Sequence, residues 1–213
     1  MNPKTIVFDL DDTLVKEIDY LKSAFEEIAF FLDSNDASLF KTMFEWYQNK
    51  ENVFQNLEKR YVKAEKQLLI KMYRNHFPNF NPNSEAKQIL IEFKKQGYFL
   101  GLITDGYSIT QRNKIRALEI DDLFDLIIIS EEFGSEKPNP NNFEIFHQFK
   151  TEEYYYIGDN VSKDFLTPNQ LSWKSICILD DGNNIHKQNF DKERVYLPSQ
   201  TIQNLSELIK IIK

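Results

Sequence analysis

The stretch VFDLDDTL, Val7–Leu14, governs the reading of the rest. An apolar run, Thr5–Phe8, ends abruptly in three carboxylates, Asp9, Asp11 and Asp12, with only Leu10 interposed. Folding gains nothing from crowding like charges at a strand end. The plain reading is a strand, then a turn in which Asp12 or Thr13 caps a helix. The chemical reading is a ligand site, because ligands of open α/β sheets bind at the carboxyl ends of strands.

Working outward, further short apolar runs read as buried strands: Tyr98–Ile103, Leu126–Ile129, Tyr154–Ile157, Ser175–Leu179 and, more weakly, Val195–Leu197. They are apolar nearly throughout, as in parallel strands covered on both faces. Helical patterns separate them after residue 83. Ser84–Gln96 carries Ala86, Leu90 and Phe93 on one face and stops at Gly97. Ser108 is placed to cap a helix through Leu118, and Pro140 suits the first turn of a helix to about Phe149. The alternation predicts an α/β fold, a three-layer Rossmann-like parallel sheet core.

Residues 15–82 break the rhythm. Leu21, Ala24, Phe25, Ile28 and Leu32 recur at helical spacing, as do Leu39, Phe40, Met43, Phe44 and Tyr47, then Leu57, Tyr61, Leu68 and Met72. Phe77–Asn83, with two prolines and three asparagines, reads as a linker. The expected organisation is a core of 1–14 and 83–213 with an inserted all-helical domain, 15–82.

Composition narrows the function. The 213 residues suffice for one ample domain, or a core with a smaller insert. Hydrophobic residues at 41% and charged ones at 28% mark a globular chain. A net charge of −7 argues against nucleic-acid binding through bulk positive charge. No run approaches a bilayer span, and no leader is visible, so a soluble cytoplasmic protein with no membrane partner is expected. The one cysteine, Cys177, forbids an intrachain disulfide and reads as a core thiol. The pattern specifies no oligomeric state.

Three later motifs repeat the opening theme. The second strand ends in LITDG, with Thr104, Asp105 and Gly106; GSEKPNP carries Lys137; the fourth strand ends in YIGDNVSKDF, with Asp159 and Asp164. Each alone is an ordinary turn or a solvated charge. In this order, each at or just beyond a strand's carboxyl end, they reinforce one another.

The set DLDDT, ITDG, KP and GDNVSKD resembles the haloacid dehalogenase-like (HAD) hydrolase superfamily, all four motifs in order over nearly the whole chain. The helical insert resembles that family's C1 cap. The resemblance implies a Mg²⁺-dependent phosphatase acting on a small phosphomonoester. Asp9 would attack phosphorus to give an aspartyl-phosphate, and Asp11 would serve as acid, then base. Mg²⁺ would be held by Asp9, the Asp11 backbone carbonyl and Asp159, with Asp164 behind them orienting a metal water or Lys137. The Thr104 hydroxyl, the N–H groups of Asp105 and Gly106, and Lys137 would hold the phosphoryl oxygens. One departure is Asp105, where many relatives carry Asn. Its carboxylate would repel a phosphate if it pointed inward.

Other readings stay open. A phosphomutase would use the same core on a sugar phosphate, and a catalytically silent interaction module would have no need of intact carboxylates. A dehalogenase needs neither an acid at Asp11 nor a metal, and phosphonatase chemistry needs a lysine such as Lys16 or Lys22. Sugar phosphates, nucleoside monophosphates and phosphoglycolate all remain candidate substrates. His76, His147 and His186 fall outside the motifs, and Asp180–His186 reads as a loop. Lys59, Arg60, Lys63, Lys66, Lys71 and Arg74 read mostly as a solvated helix face, with a minority expectation that some touch an anionic substrate.

Overall fold

The computed structural model describes residues 3–213. Six strands form one parallel sheet in the order β3-β2-β1-β4-β5-β6. They are β1 (Thr5–Phe8), β2 (Phe99–Thr104), β3 (Leu126–Ile129), β4 (Tyr154–Gly158), β5 (Lys174–Ile178) and β6 (Gln200–Ile202). β1 is central, and chain direction across the sheet reverses beside it, between β2 and β4. This puts the carboxyl ends of β1, β2 and β4, and hence all three carboxylate- or threonine-bearing turns, side by side.

Alternation along each strand separates two cores. Ile6, Phe8, Leu100, Leu102, Tyr155 and Ile157 face one way, against Ala86, Ile89, Leu90 and Phe93 of α5 and Ile115 of α6. Val7, Ile103, Ile128, Tyr156 and Cys177 face the other, against Phe143, Phe146, Phe165 and Trp173. Cys177 is the buried thiol expected, and burial pushes its pKa well up. At Gly101 the Phe146 ring occupies the side-chain position: an added Cβ would lie 2.1 Å from Phe146 Cε1.

Between β1 and β2 come α1 (Glu17–Leu32), α2 (Leu39–Gln48), α3 (Val53–Arg60), α4 (Lys66–Asn75) and α5 (Glu85–Lys95). The first four enclose their own cluster, centred on Leu21, Phe25, Ile28, Leu39, Met43, Leu57 and Leu69. Among the described residues the segment 17–98 holds no strand. α5 starts where its N-cap Ser84 accepts from the Lys87 N–H, and Gly97 follows with φ 78°. The remaining helices are α6 (Ser108–Ala117), α7 (Ser130–Phe133), α8 (Asn141–Glu144), α9 (Leu166–Gln170) and α10 (Leu208–Ile211).

Three expectations about local structure need correction. Val195–Leu197 is not a strand: Arg194–Tyr196 is a 3-10 turn, pinned where the Asn169 amide donates to the Val195 and Leu197 carbonyls at 2.7 and 2.8 Å. Pro198 then re-aims the chain, and the sixth strand forms at Gln200–Ile202. Ser108 does not cap α6; it is the first helical residue, with Tyr107 in the cap position. The helix beginning at Pro140 is α only to Glu144 and tightens to 3-10 over Ile145–Phe149.

Candidate active site

The first strand ends in a tight turn. Val15 N–H and Leu14 N–H both donate to the Leu10 carbonyl, and Asp12 adopts φ 57°. A short polar side chain tolerates that left-handed backbone best. Asp12 Oδ1 accepts the N–H of Glu17, the first residue of α1, at 3.0 Å, and Oδ2 accepts the Ile185 N–H at 3.2 Å. Asp12 therefore ties three segments together, although neither it nor Thr13 is the helix cap: Lys16 holds that position, without a side-chain cap bond. The turn leaves Asp9 at the strand tip and Asp11 on the far side. The Asp11 carbonyl accepts no hydrogen bond made among the described residues.

Asp9, Lys137 and Asp164 form the buried centre. Lys137 Nζ lies 2.5 Å from Asp9 Oδ1, 2.8 Å from Asp164 Oδ1 and 3.1 Å from the Tyr156 hydroxyl. The side chains of Lys137 and Asp164 are 1% and 0% exposed. Burial opposes the lysine charge, but Asp164 and Asp9 outweigh it and hold the pKa well above the usual value. Asp164 Oδ2 takes the N–H groups of Asp159 and Asn160 at 3.2 and 2.8 Å, fixing the turn after β4. Gly158 is required here, because a Cβ would meet Asp164 Oδ2 at 2.6 Å. Lys137 and Asp164 thus neutralise and orient one another.

The other carboxylates lack that balance. Burial, with Asp9 and Asp164 close by, pushes Asp159 up to about 9. Burial pushes Asp9 up to about 7, against the pull of Lys137. Oxygens of Asp9, Asp159 and Asp164 lie within 4.8 Å of one another. One buried lysine does not offset three buried carboxylates. An oxygen-only donor set with surplus negative charge and a free backbone carbonyl beside it fits a hard divalent cation such as Mg²⁺.

The phosphate side is built by β2 and α6. Thr104 is 1% exposed, and its hydroxyl receives Gln111 Nε2 at 2.5 Å. The same amide reaches Asp11 Oδ2 at 2.8 Å and the Asp105 carbonyl at 3.0 Å. Lys114 Nζ meets Asp11 Oδ1 at 2.5 Å with its side chain 3% exposed. Both oxygens of the Asp105 carboxylate are engaged: Oδ1 accepts the Lys137 N–H at 3.1 Å and Oδ2 the Lys163 ammonium at 2.8 Å. Lys163 lines the same cavity and offsets the charge that Asp in place of Asn brings to it. The Gly106 N–H, expected to face phosphate, donates to Ser130 Oγ at 2.9 Å.

The structure therefore brings Asp9, Asp11, Thr104, Asp105, Lys137, Asp159 and Asp164 to one end of the sheet. Asp9, Asp11, Asp12, Glu17, Thr104, Asp105, Asp159, Asn160, Lys163 and His186 line a cavity of about 170 Å³. Sequence reasoning missed several neighbours. Gln111 and Lys114 lie three apart on one face of α6, hidden in a charged stretch that resembles solvated helix. Asn184 Nδ2 donates to Asp159 Oδ2 at 3.1 Å while its Oδ1 accepts from Lys16 at 2.7 Å. With His186, it makes the loop after β5 part of the site wall. No local signal marks that loop, because only the sheet order brings it beside β4.

A parallel α/β sheet with this carboxylate–lysine–threonine set at its central strand ends defines a class. Residues 6–178 match the family model described as haloacid dehalogenase-like hydrolase, and the chain belongs to that family. The chain is 32% identical to glyceraldehyde 3-phosphate phosphatase of Methanocaldococcus jannaschii, over 99% of this chain and 97% of the relative. It is 29% identical to the protein of the same name from Methanothermobacter thermautotrophicus, over 98% and 99%. Among solved structures, Bacillus subtilis YfnB bound to magnesium superposes with a TM-score of 0.67 at 22% identity, covering 100% of both chains. A HAD phosphatase from Thermococcus onnurineus gives 0.60 at 19%, covering 98% and 97%. These two likenesses concern the fold.

Proposed function

We propose that this protein is a Mg²⁺-dependent phosphatase that hydrolyses a small phosphomonoester in two steps through Asp9. The observation that carries the reading is the buried triad Asp9–Lys137–Asp164, set against Asp159 and Thr104 at three adjacent strand ends. Asp9, Asp159 and the Asp11 carbonyl would hold Mg²⁺, which would supply charge neutralisation between an anionic nucleophile and an anionic substrate. Asp9 attacks phosphorus, the ester bond breaks, and the phosphoryl group rests on the carboxylate. Asp11 must be protonated when the ester arrives, one oxygen released from Lys114 or Gln111; it gives that proton to the departing alkoxide, then takes one from the water that attacks the aspartyl-phosphate. Gln111 and Lys114 hold the Asp11 carboxylate at a fixed place beside Thr104. Thr104, the Asp105 N–H and Lys137 bind the phosphoryl oxygens, and the Gly106 N–H joins them on exchange of its Ser130 partner. Asp164 acts through Lys137 and the turn after β4.

Residues 15–82 act as the cap over the leaving group, with the core as 1–14 and 83–213. The separate hydrophobic cluster of the four inserted helices supports that division. No helix among the described residues is long and apolar enough to cross a membrane, and we assign the enzyme to the cytoplasm, with a small molecule rather than a nucleic acid or a membrane as partner. The phosphatases of Methanocaldococcus and Methanothermobacter make three-carbon phosphates the first substrates to try. The test is phosphate release across a panel of metabolite phosphomonoesters, with Mg²⁺ and after its removal by EDTA. Release in Mg²⁺ alone supports the reading. Full release in EDTA, or none in either condition, overturns it.

A further inference from the structure

The catalytic cavity opens, past Asp11, Glu17 and Asp105, into a second cavity of about 450 Å³ between the inserted helices and α6. A leaving group must sit there if the phosphoryl group is at Asp9, and the inference rests on that phosphatase reading. The lining of this space divides by charge. The throat, shared with the catalytic cavity, carries Asp11, Glu17 and Asp105. The outer wall, meaning the lining that the catalytic cavity does not share, carries Lys66 and Arg74 together with Phe54, Ile70, Tyr73 and Tyr107.

Three cations line the cavity. Lys114 is committed to Asp11. Lys66 and Arg74 make no ion pair among the described residues. Arg74 is nevertheless fixed in place. Its guanidinium lies 3.8 Å above the Tyr107 ring. Its carbonyl accepts the Thr110 hydroxyl at 2.9 Å, and the next two carbonyls, of Asn75 and His76, accept the Asn113 amide at 3.0 and 3.1 Å. All three anchors belong to α6 or the residue before it. The last turn of α4 is therefore clamped to the core beside the Thr104–Gly106 loop. A stacked guanidinium keeps its in-plane N–H edge free, and that edge matches a carboxylate or phosphate fork. In a chain of net charge −7, with acids at the throat, this wall is where the cavity favours a second negative charge.

We infer that the substrate's leaving group carries a second anion, received by Arg74 with Lys66 at the outer wall. The enzyme then prefers phosphomonoesters of acids over those of neutral alcohols or aldehydes of the same size. 3-Phosphoglycerate and glyceraldehyde 3-phosphate make the comparison, since they differ only in carboxylate against aldehyde. A bisphosphate of three carbons separates carboxylate from phosphate as the anion.

The wild-type enzyme should favour 3-phosphoglycerate in kcat/KM by about tenfold or more. Arg74→Gln should erase most of that ratio, chiefly through KM, and Arg74→Lys should restore part of it. Lys66→Gln, at an exposed position at the start of α4, should reduce the ratio without any question of folding. Calorimetric binding of the same two compounds to Asp9→Asn protein reads the preference without turnover. A ratio of one or less in the wild type, or a ratio that neither Arg74→Gln nor Lys66→Gln changes, overturns the inference. p-Nitrophenyl phosphate, which has no second anion, keeps the two levels apart. Its hydrolysis without discrimination in the glycerate pair defeats this inference alone, whereas no hydrolysis of any ester defeats the phosphatase reading.

Discussion

Replacing Asp159 by Asn should stabilise the metal-free protein. Burial and the charges of Asp9 and Asp164 raise the Asp159 pKa from 3.8 to about 9. A carboxyl raised on folding binds its proton more tightly in the folded chain. Its contribution to stability is complete below about pH 4 and is lost as the pH climbs towards 9. At pH 7 the loss spans about three pH units at about 1.4 kcal/mol each, a ceiling of about 4 kcal/mol. Asp9 shares the same repulsion, so a single substitution should recover less, on the order of 1–3 kcal/mol. Asn keeps the volume and still accepts from the Asn184 amide, which now bonds Asp159 at 3.1 Å. Urea denaturation in EDTA at pH 5, 7 and 8.5 measures the effect. The variant's advantage should grow with pH, and added Mg²⁺ should raise the wild-type midpoint much more than the variant's. A variant less stable than wild type in EDTA at pH 7, with no pH trend, would refute the idea that surplus buried charge awaits a cation here.

The same geometry makes three further substitutions informative. Asp11→Asn should slow the first step much more for an alkyl phosphate than for p-nitrophenyl phosphate, whose leaving group needs no proton; equal slowing in single-turnover measurements would remove Asp11 from the acid role. Lys137→Met leaves Asp9 and Asp164 without their buried counter-charge and should cost about 3–5 kcal/mol in chemical denaturation; a loss below about 1 kcal/mol would count against the triad's electrostatic role. Gly101→Ala forces a methyl into the Phe146 ring and should lower stability by at least 1–3 kcal/mol, visible as a drop in Tm; an unchanged Tm would mean that the ring has room to move.

Much of this architecture is legible in the residues. Each of the five longer strands is built on a short apolar run, and burial on both faces leaves few polar positions to blur it, chiefly at strand ends such as Thr5, Thr104 and Lys174. Thr5–Phe8 and Leu126–Ile129 match to the residue. The sixth strand is misread from sequence because Val195–Leu197 is the more apolar segment, while Gln200–Ile202 is an edge with one exposed side that tolerates Gln and Thr. At the site, the strand-end carboxylates stand out because like charges rarely crowd without cause. Gln111, Lys114, Asn184 and His186 do not, since each sits in a polar stretch that a solvated helix or loop would equally produce. Their proximity depends on sheet order and helix rotation, which act over long separations. Asp105 illustrates the same limit: the partners of its carboxylate, Lys163 and the Lys137 N–H, lie 58 and 32 residues away in the chain.

The role of Asp9 as phosphoryl acceptor is tested most directly by trapping the covalent intermediate. Enzyme mixed with a radiolabelled phosphomonoester and Mg²⁺, quenched in acid within a turnover and digested, should carry label on the peptide that contains Asp9. That label should be lost on treatment with hydroxylamine, as an acyl phosphate is, and should be absent from Asp9→Asn protein, which should also release no phosphate. Label on another residue, or near wild-type phosphate release from Asp9→Asn protein, would contradict that role.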